Sequence, residues 1–251
     1  MMTSDRERDV IAAFVSLANT MVDGFDVIEV LSSLTTDCAR LLDVASAGLL
    51  LADGSRVLHV VAASSEATRN LELFQLQREQ GPCLDCYRLG SPVSAPDLAD
   101  RREVWPQFVD GALGAGFVSV HAVPMRMHDT VLGTLGLFGT DVGSLAAEDL
   151  SLAQGLADVA SIAIVAGQVA PDSGSISAGL QQTLANRVLL EQAKGVLAAR
   201  GDIELDQAFE LLRRYARDNR IALADVARSL ITRTLSARTV IDHIRTSGTT
   251  T

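Results

Sequence analysis

Gly116-Phe-Val-Ser-Val-His-Ala-Val-Pro-Met-Arg-Met-His-Asp-Thr-Val-Leu-Gly-Thr-Leu-Gly-Leu-Phe138 is the stretch that decides the fold of this chain. Residues 118–123 and 131–138 are short apolar runs bounded by turn residues, and the polar His128-Asp129 connection between them reads as a hairpin turn. Upstream lies a second pair, residues 47–51 and 57–62. Asp53-Gly54 separates them and favours a tight turn, because glycine accepts positive φ. Between the hairpins, residues 66–78 and 105–113 are read as helices. Residues 9–42 carry helix-compatible spacing, interrupted near Asp23-Gly24, and residues 145–168 form an apolar-rich helix. Strand pairs followed by helices, with further helices at both ends, predict an α+β domain: an antiparallel sheet with flanking helices.

Composition bounds what the chain can be. Hydrophobic residues make up 48% of it, which is ample for packed cores and argues against wholesale disorder. No run approaches the roughly 18 apolar residues of a membrane span. The charged opening MMTSDRERDV leads into no signal-like apolar region. A cytoplasmic protein without a membrane partner is expected. Three cysteines are too few for a disulfide scaffold.

The clearest break is Ala170-Pro-Asp-Ser-Gly-Ser-Ile-Ser-Ala-Gly179, where proline and the Gly/Ser content predict a flexible linker. The expected division is a domain over 8–168, a linker over 169–179 and a small helical domain over 180–245. Charge divides at the same place. Residues 1–179 hold 10 basic and 23 acidic residues, and residues 180–251 hold 11 basic and 8 acidic. The front should repel polyanions, whereas the mildly basic back could meet one.

Behind the linker the periodicity is helical throughout. Leu180, Leu184 and Val188, with Leu189, Ala193, Val196 and Leu197, make the first helix apolar over a wide arc. Gly201 is a natural stop. A second helix spans about 204–218, with Ala208, Leu211, Leu212 and Tyr215 inward. A third presents Leu223, Val226, Ala227, Leu230 and Ile231. Three short helices make a marginal core alone, so packing against a partner chain would help.

Two resemblances emerge from these residues. Gly81-Pro-Cys-Leu-Asp-Cys-Tyr-Arg88 running into Pro92-Val-Ser-Ala-Pro-Asp97, then Gly116–Met125 and Val131–Phe138 of the stretch quoted first, resemble a GAF domain over about residues 8–168. That likeness implies a small-molecule or redox sensor and leaves the signal and any cofactor unnamed. Ala185-Asn-Arg-Val-Leu-Leu-Glu-Gln-Ala-Lys-Gly-Val-Leu-Ala-Ala-Arg-Gly201, Ala208-Phe-Glu-Leu-Leu-Arg-Arg-Tyr-Ala-Arg-Asp218 and Leu223-Ala-Asp-Val-Ala227 closely resemble an ANTAR module. This second likeness implies binding of paired RNA stem-loops and transcription antitermination. Glu204 stands where the family usually has a serine-like helix cap, and Ala222 where a basic residue is common.

Candidate RNA-binding residues are Arg187, Lys194, Gly195, Arg200, Arg213, Arg214 and Arg217. Arginine forks suit phosphate oxygens and base edges, and Gly195 admits a close backbone. The same residues could equally be a solvated helix face, with Gly195 serving helix packing. In the front domain, Cys83-Leu-Asp-Cys86 could be a redox pair or half of a zinc site, or ordinary thiols in a pocket-lid loop. His121 shares a strand face with Ser119 and Val123 and could line a ligand pocket or be a satisfied sheet histidine. Trp105 reads as a helix-start anchor. No nucleophile elbow, P-loop or metalloprotease motif is present, so no enzyme is expected. The rivals are a DNA-binding regulator and a cysteine-based GAF-type reductase. A homodimer is expected through residues 145–168 and the Leu180, Leu184, Val188 seam.

Overall fold

The computed structural model describes residues 2–20, 27–166 and 173–247. Two helices lead, α1 (Met2–Thr20) and α2 (Val27–Leu41), followed by the hairpin β1 (Ser46–Ala52) and β2 (Leu58–Ala63). Next come α3 (Glu66–Arg78), α4 (Pro82–Leu89), β3 (Val93–Ala95) and α5 (Pro106–Gly114). The second hairpin, β4 (Ser119–Met127) and β5 (Thr130–Gly139), leads into α6 (Ala147–Ala166). Four helices close the chain: α7 (Ser173–Gly201), α8 (Leu205–Asn219), α9 (Leu223–Ile231) and α10 (Ala237–Ser247).

Both predicted hairpins form and lie side by side in a five-stranded antiparallel sheet of order β2-β1-β5-β4-β3. Their turns differ. His128 takes a positive φ of 53° in the short β4–β5 connection. Asp53-Gly54 instead opens a five-residue loop, in which the Asp53 carboxylate accepts from the backbone N–H groups of Ser55 and Val57. The sheet is covered on both faces, which is why β1 is buried at every position. Leu49, Leu51, Val123, Met125, Leu135 and Leu137 pack with α2 and α6. Leu50, Ala52, Val120, Ala122 and Phe138 pack with Trp105, Phe108 and the helices α3 to α5. Close strand contact explains Gly133, since a Cβ there would stand 1.9 Å from the Leu50 carbonyl oxygen.

The structure departs from the sequence reading in four places. The segment 81–88, read as a lid loop, is helix α4: Pro82 sits in its first turn, where a missing N–H costs nothing, and Gly90 closes it in the left-handed region. Of the expected linker 169–179, residues 169–172 fall outside the described residues, whereas 173–179 are the first turns of α7. Gly179 lies within that helix, and its carbonyl accepts from Thr183 Oγ1 at 2.8 Å. Glycine and serine cost helix stability only weakly, and burial of Leu180, Leu190, Ala193 and Leu197 along the same helix outweighs that. The helical domain has a fourth helix, α10, whose Val240 is fully buried and whose Ile241 reaches Gly201. Finally, Glu204 caps α8 in place of a serine-like residue: its backbone N–H donates to Gln207 Oε1 at 3.3 Å in a capping box.

The two regions share one core. Leu34 and Leu137 of the sheet domain, Ala160 of α6, and Leu190, Leu212 and Leu223 of the helical domain belong to one apolar cluster. Leu180 is buried and Leu184 packs against this cluster, so two residues of the expected dimer seam are spent within the chain. Val188 is 57% exposed. The wide apolar arc of α7 is covered by α8, α9 and α10 and, in part, by α2 and α6 of the sheet domain of its own chain.

Candidate nucleic-acid interface

The basic residues of α7 and α8 separate into two groups. Arg187 and Lys194 point toward the sheet domain and are buried, at 9% and 5% exposure. Both pair with Glu191, Arg187 Nη2 at 2.6 Å and Lys194 Nζ at 3.3 Å, and Arg69 of α3 reaches the same carboxylate at 2.7 Å. Lys194 also stands over the Phe209 ring. Burial draws the Lys194 ammonium and the Arg187 guanidinium below their usual pKa values, Arg187 to about 10. Burial opposes ionisation of Glu191 as well, yet the charges of Arg187, Lys194 and Arg69 hold its carboxyl below the usual range. Arg213 and Arg217 reach across to Glu29 of α2 at 3.5 and 3.7 Å.

The second group is open. Gly195 is exposed on α7, where an added methyl would meet no atom within 4 Å. Among the described residues, no helix of this chain packs closely against it. It lines a groove of about 1250 Å³ between α7, α9 and α10, together with Gln192, Arg200, Arg233 and Arg238. Arg233 is exposed and takes a left-handed backbone with φ of 61°. Arg214 and Arg217 are exposed on α8, with Arg214 3.8 Å from Asp218. Of the seven residues singled out in the sequence, Gly195 and Arg200 share the groove, Arg187, Lys194 and Arg213 face the sheet domain, Arg217 is exposed on α8 yet reaches Glu29, and Arg214 is exposed on α8. Arg238 was not anticipated, because it belongs to the unforeseen α10. Tyr215 packs edge-on against His243 and toward the core, as its spacing suggested.

The candidate sensor residues sit deep in the sheet domain. Cys83, Cys86 and Cys38 are all free thiols and all buried. Burial raises the Cys83 thiol well above its usual pKa, and the nearby Glu72 adds to this. Burial likewise pushes Cys86 up to about 12, although Arg126 opposes it. Thiolates are suppressed at both positions, which is the opposite of what a redox pair requires. Cys83 belongs instead to a buried polar set. Its Sγ donates to Glu72 Oε1 at 3.5 Å, its backbone N–H donates to Gln75 Oε1 at 3.3 Å, and the Gln75 amide donates to Glu72 Oε2. Burial pushes the Glu72 carboxyl up to about 8, against the lowering effect of its Cys83 and Gln75 hydrogen bonds. Gly48 and Gly136 make room for this carboxyl, since a Cβ on either would come within 2.8 Å of Glu72 Oε1. Nothing in the spacing of α3 marked Glu72 as an inward residue.

His121 lies elsewhere. It is buried on the α6 face of the sheet, its Nε2 meets the Gly143 carbonyl at 3.3 Å, and its Nδ1 has no partner. Burial lowers its pKa. The Cys83 set belongs to the other face, so these three sequence candidates do not converge. Trp105 anchors the start of α5, with Nε1 donating to Asp85 at 2.8 Å.

The fold defines a chain that couples an α+β sheet domain to a basic helical domain. The chain belongs to the GAF domain family, whose model matches residues 26–165, more than half of its length. The ANTAR domain model matches residues 178–231. A GAF domain followed by an ANTAR domain is the architecture of a sensor-regulated, RNA-binding antitermination regulator, typical of regulators rather than enzymes. Among solved structures, the chain is similar to free methionine-R-sulfoxide reductase from Neisseria meningitidis, at 14% identity and a TM-score of 0.51, over 66% of this chain and 92% of that one. It is also similar to the GAF domain of a phosphoenolpyruvate-protein phosphotransferase from Coxiella burnetii, at 13% identity and a TM-score of 0.50, over 62% and 93%. At such identities the likeness is one of fold. None of the curated proteins matches this chain. Among the described residues, no helix is long and apolar enough to cross a membrane.

Proposed function

We propose that this protein binds paired RNA stem-loops through its ANTAR domain, under control of a small-molecule signal received by its GAF domain, and acts as a homodimer in the cytoplasm. The observation that carries the RNA reading is Gly195, open to solvent in a groove bordered by Arg200, Arg233 and Arg238. A glycine without a packing role beside three arginines suits close approach of a phosphate backbone. Arg214 and Arg217 extend the basic surface along α8. Arg187, Lys194 and Arg213 contribute to RNA only once they leave the GAF domain, which gives that domain a direct hold on the effector. Two stem-loops then engage the two modules of a dimer, with a gain in effective concentration.

The test is binding to a two-stem-loop RNA beside duplex DNA of equal charge, over a salt series. Selective RNA binding, weakened about tenfold by Arg200→Ala or Arg233→Ala with a shallower salt slope, supports the reading. Gly195→Ala should leave the melting temperature unchanged or raised, because alanine favours helix by about 1 kcal/mol, while RNA affinity falls. Equal binding to both nucleic acids, or full RNA affinity in all three variants, overturns it. The reductase alternative requires a reactive thiol, and the buried Cys83 and Cys86 disfavour it.

A further inference from the structure

Arg69, Arg187 and Lys194 converge on a single oxygen, Oε1 of Glu191, at 2.7, 2.6 and 3.3 Å. Three cations share one carboxylate, and two of the three are more than nine-tenths buried. Arg187 Nε is buried and makes no hydrogen bond. The three line a cavity of about 210 Å³ between the GAF and ANTAR domains, and Arg213 lines it from α8. Helix α3, capped by Ser65, starts at its wall, so the positive end of that helix adds to the field. Carboxylates do occur nearby, but Glu29, 3.5 Å from Arg213, pairs with that arginine and not with the Glu191 cluster. Asp206 and Glu210 are exposed, and Glu66 stands 3.9 Å from Arg69 with a side chain 41% exposed. They lie on the solvent side, where screening weakens them. Hydroxyls contribute little: Ser64 and Ser65 are bonded to Ser46, and Thr36 to the Ser32 carbonyl.

We infer that this cleft is a binding site for a small, multiply charged oxyanion, inorganic phosphate or the phosphate group of a small metabolite. Buried cations in excess of their counter-charge are costly, and an oxyanion supplies both the missing negative charge and acceptors for the unused Arg187 and Lys194 donors. At about 210 Å³ the cavity has room for a phosphate group but is small for a nucleic-acid strand. One wall is GAF and the other ANTAR, so the bound anion ties the two domains together. This assignment stands apart from the RNA reading, since it concerns a different face of α7.

The test is a titration of the full chain with inorganic phosphate and, separately, glycerol 3-phosphate, at ionic strength held constant with chloride. Melting temperature and titration heat are both followed. The expected result is saturable binding of at least one probe at one site per chain, with a rise in melting temperature of about 5 °C or more at saturation. Tighter binding of glycerol 3-phosphate assigns a metabolite, and equal binding assigns the free ion. Affinity should fall at least tenfold in Lys194→Gln and in the half-buried Arg213→Gln, which leaves the Glu191 cluster intact, while Arg102→Gln on distant α5's approach retains it. A response no larger than that to chloride, or one undiminished in both cleft variants that melt cooperatively, overturns the assignment. Neither probe requires RNA, so a null result beside intact RNA binding sinks this inference alone.

Discussion

Replacing Glu72 with glutamine isolates the energetic consequence of a carboxyl enclosed by the sheet and α3. The folded protein raises this group from an ordinary value near 4.5 to about 8 through burial. The native state therefore holds a proton at this site over the interval from about pH 4.5 to 8, where the unfolded chain has released it. The slope of stability against pH is proportional to the protons bound in the unfolded state minus those in the native state, so stability falls as pH rises across that window. The contribution is fully present below pH 4.5 and is lost as pH climbs through 8. The slope is about 1.4 kcal/mol per pH unit, so moving from pH 5 to pH 8 costs about 4 kcal/mol. Glutamine keeps the shape, accepts from Gln75 and turns its amide toward Cys83, but it carries no titrating proton. Urea unfolding of both proteins at pH 5, 6, 7 and 8 gives the comparison, because every other titrating group is common to the pair. The difference in unfolding free energy should change by about 4 kcal/mol in favour of Glu72→Gln as pH rises. Parallel stability curves would refute the enclosed, protonated carboxyl.

Gly136→Ala places a Cβ 2.8 Å from both Cys83 Sγ and Glu72 Oε1; a loss of about 1–3 kcal/mol is expected from urea midpoints. All three thiols should resist an aromatic disulfide reagent in the folded protein and react together only once denaturant is added, because Cys38, Cys83 and Cys86 are buried; a thiol reacting rapidly in the native state contradicts this. Glu29→Gln releases Arg213 and Arg217 from the GAF domain. It should cost about 0.5–1 kcal/mol of stability and raise RNA affinity about two- to fivefold, measured by titration of a labelled two-stem-loop RNA.

Local chemistry carried the division of labour in this chain. The 118–123 and 131–138 runs formed their hairpin because short apolar runs and a polar turn between them act within a few residues. The helix over 66–78 was legible from equally local signals, among them its Ser65 cap and the good helix formers that follow. Segment 81–88 was not, since its cysteines and Pro82 suggest a loop until a core is present to bury them. Residues 173–179 misled in the same way: glycine and serine weaken an isolated helix, but α7 is held by distant partners.

The sequence by itself determined an α+β sheet domain followed by a basic helical one, together with the GAF and ANTAR patterns, because those rest on periodicity, turn residues and charge along the chain. Only the tertiary structure decided which arginines are free. Arg187 and Arg200 look alike in sequence, yet one is buried against Glu191 beside the GAF domain and the other borders an open groove. Tertiary packing likewise placed Glu72 beside Cys83, gave Gly195 its empty surroundings and brought Arg69 to the cations of α7. Such properties depend on which distant surfaces meet, and a pairing across 122 positions, such as Arg69 with Glu191, leaves no local trace in the chain.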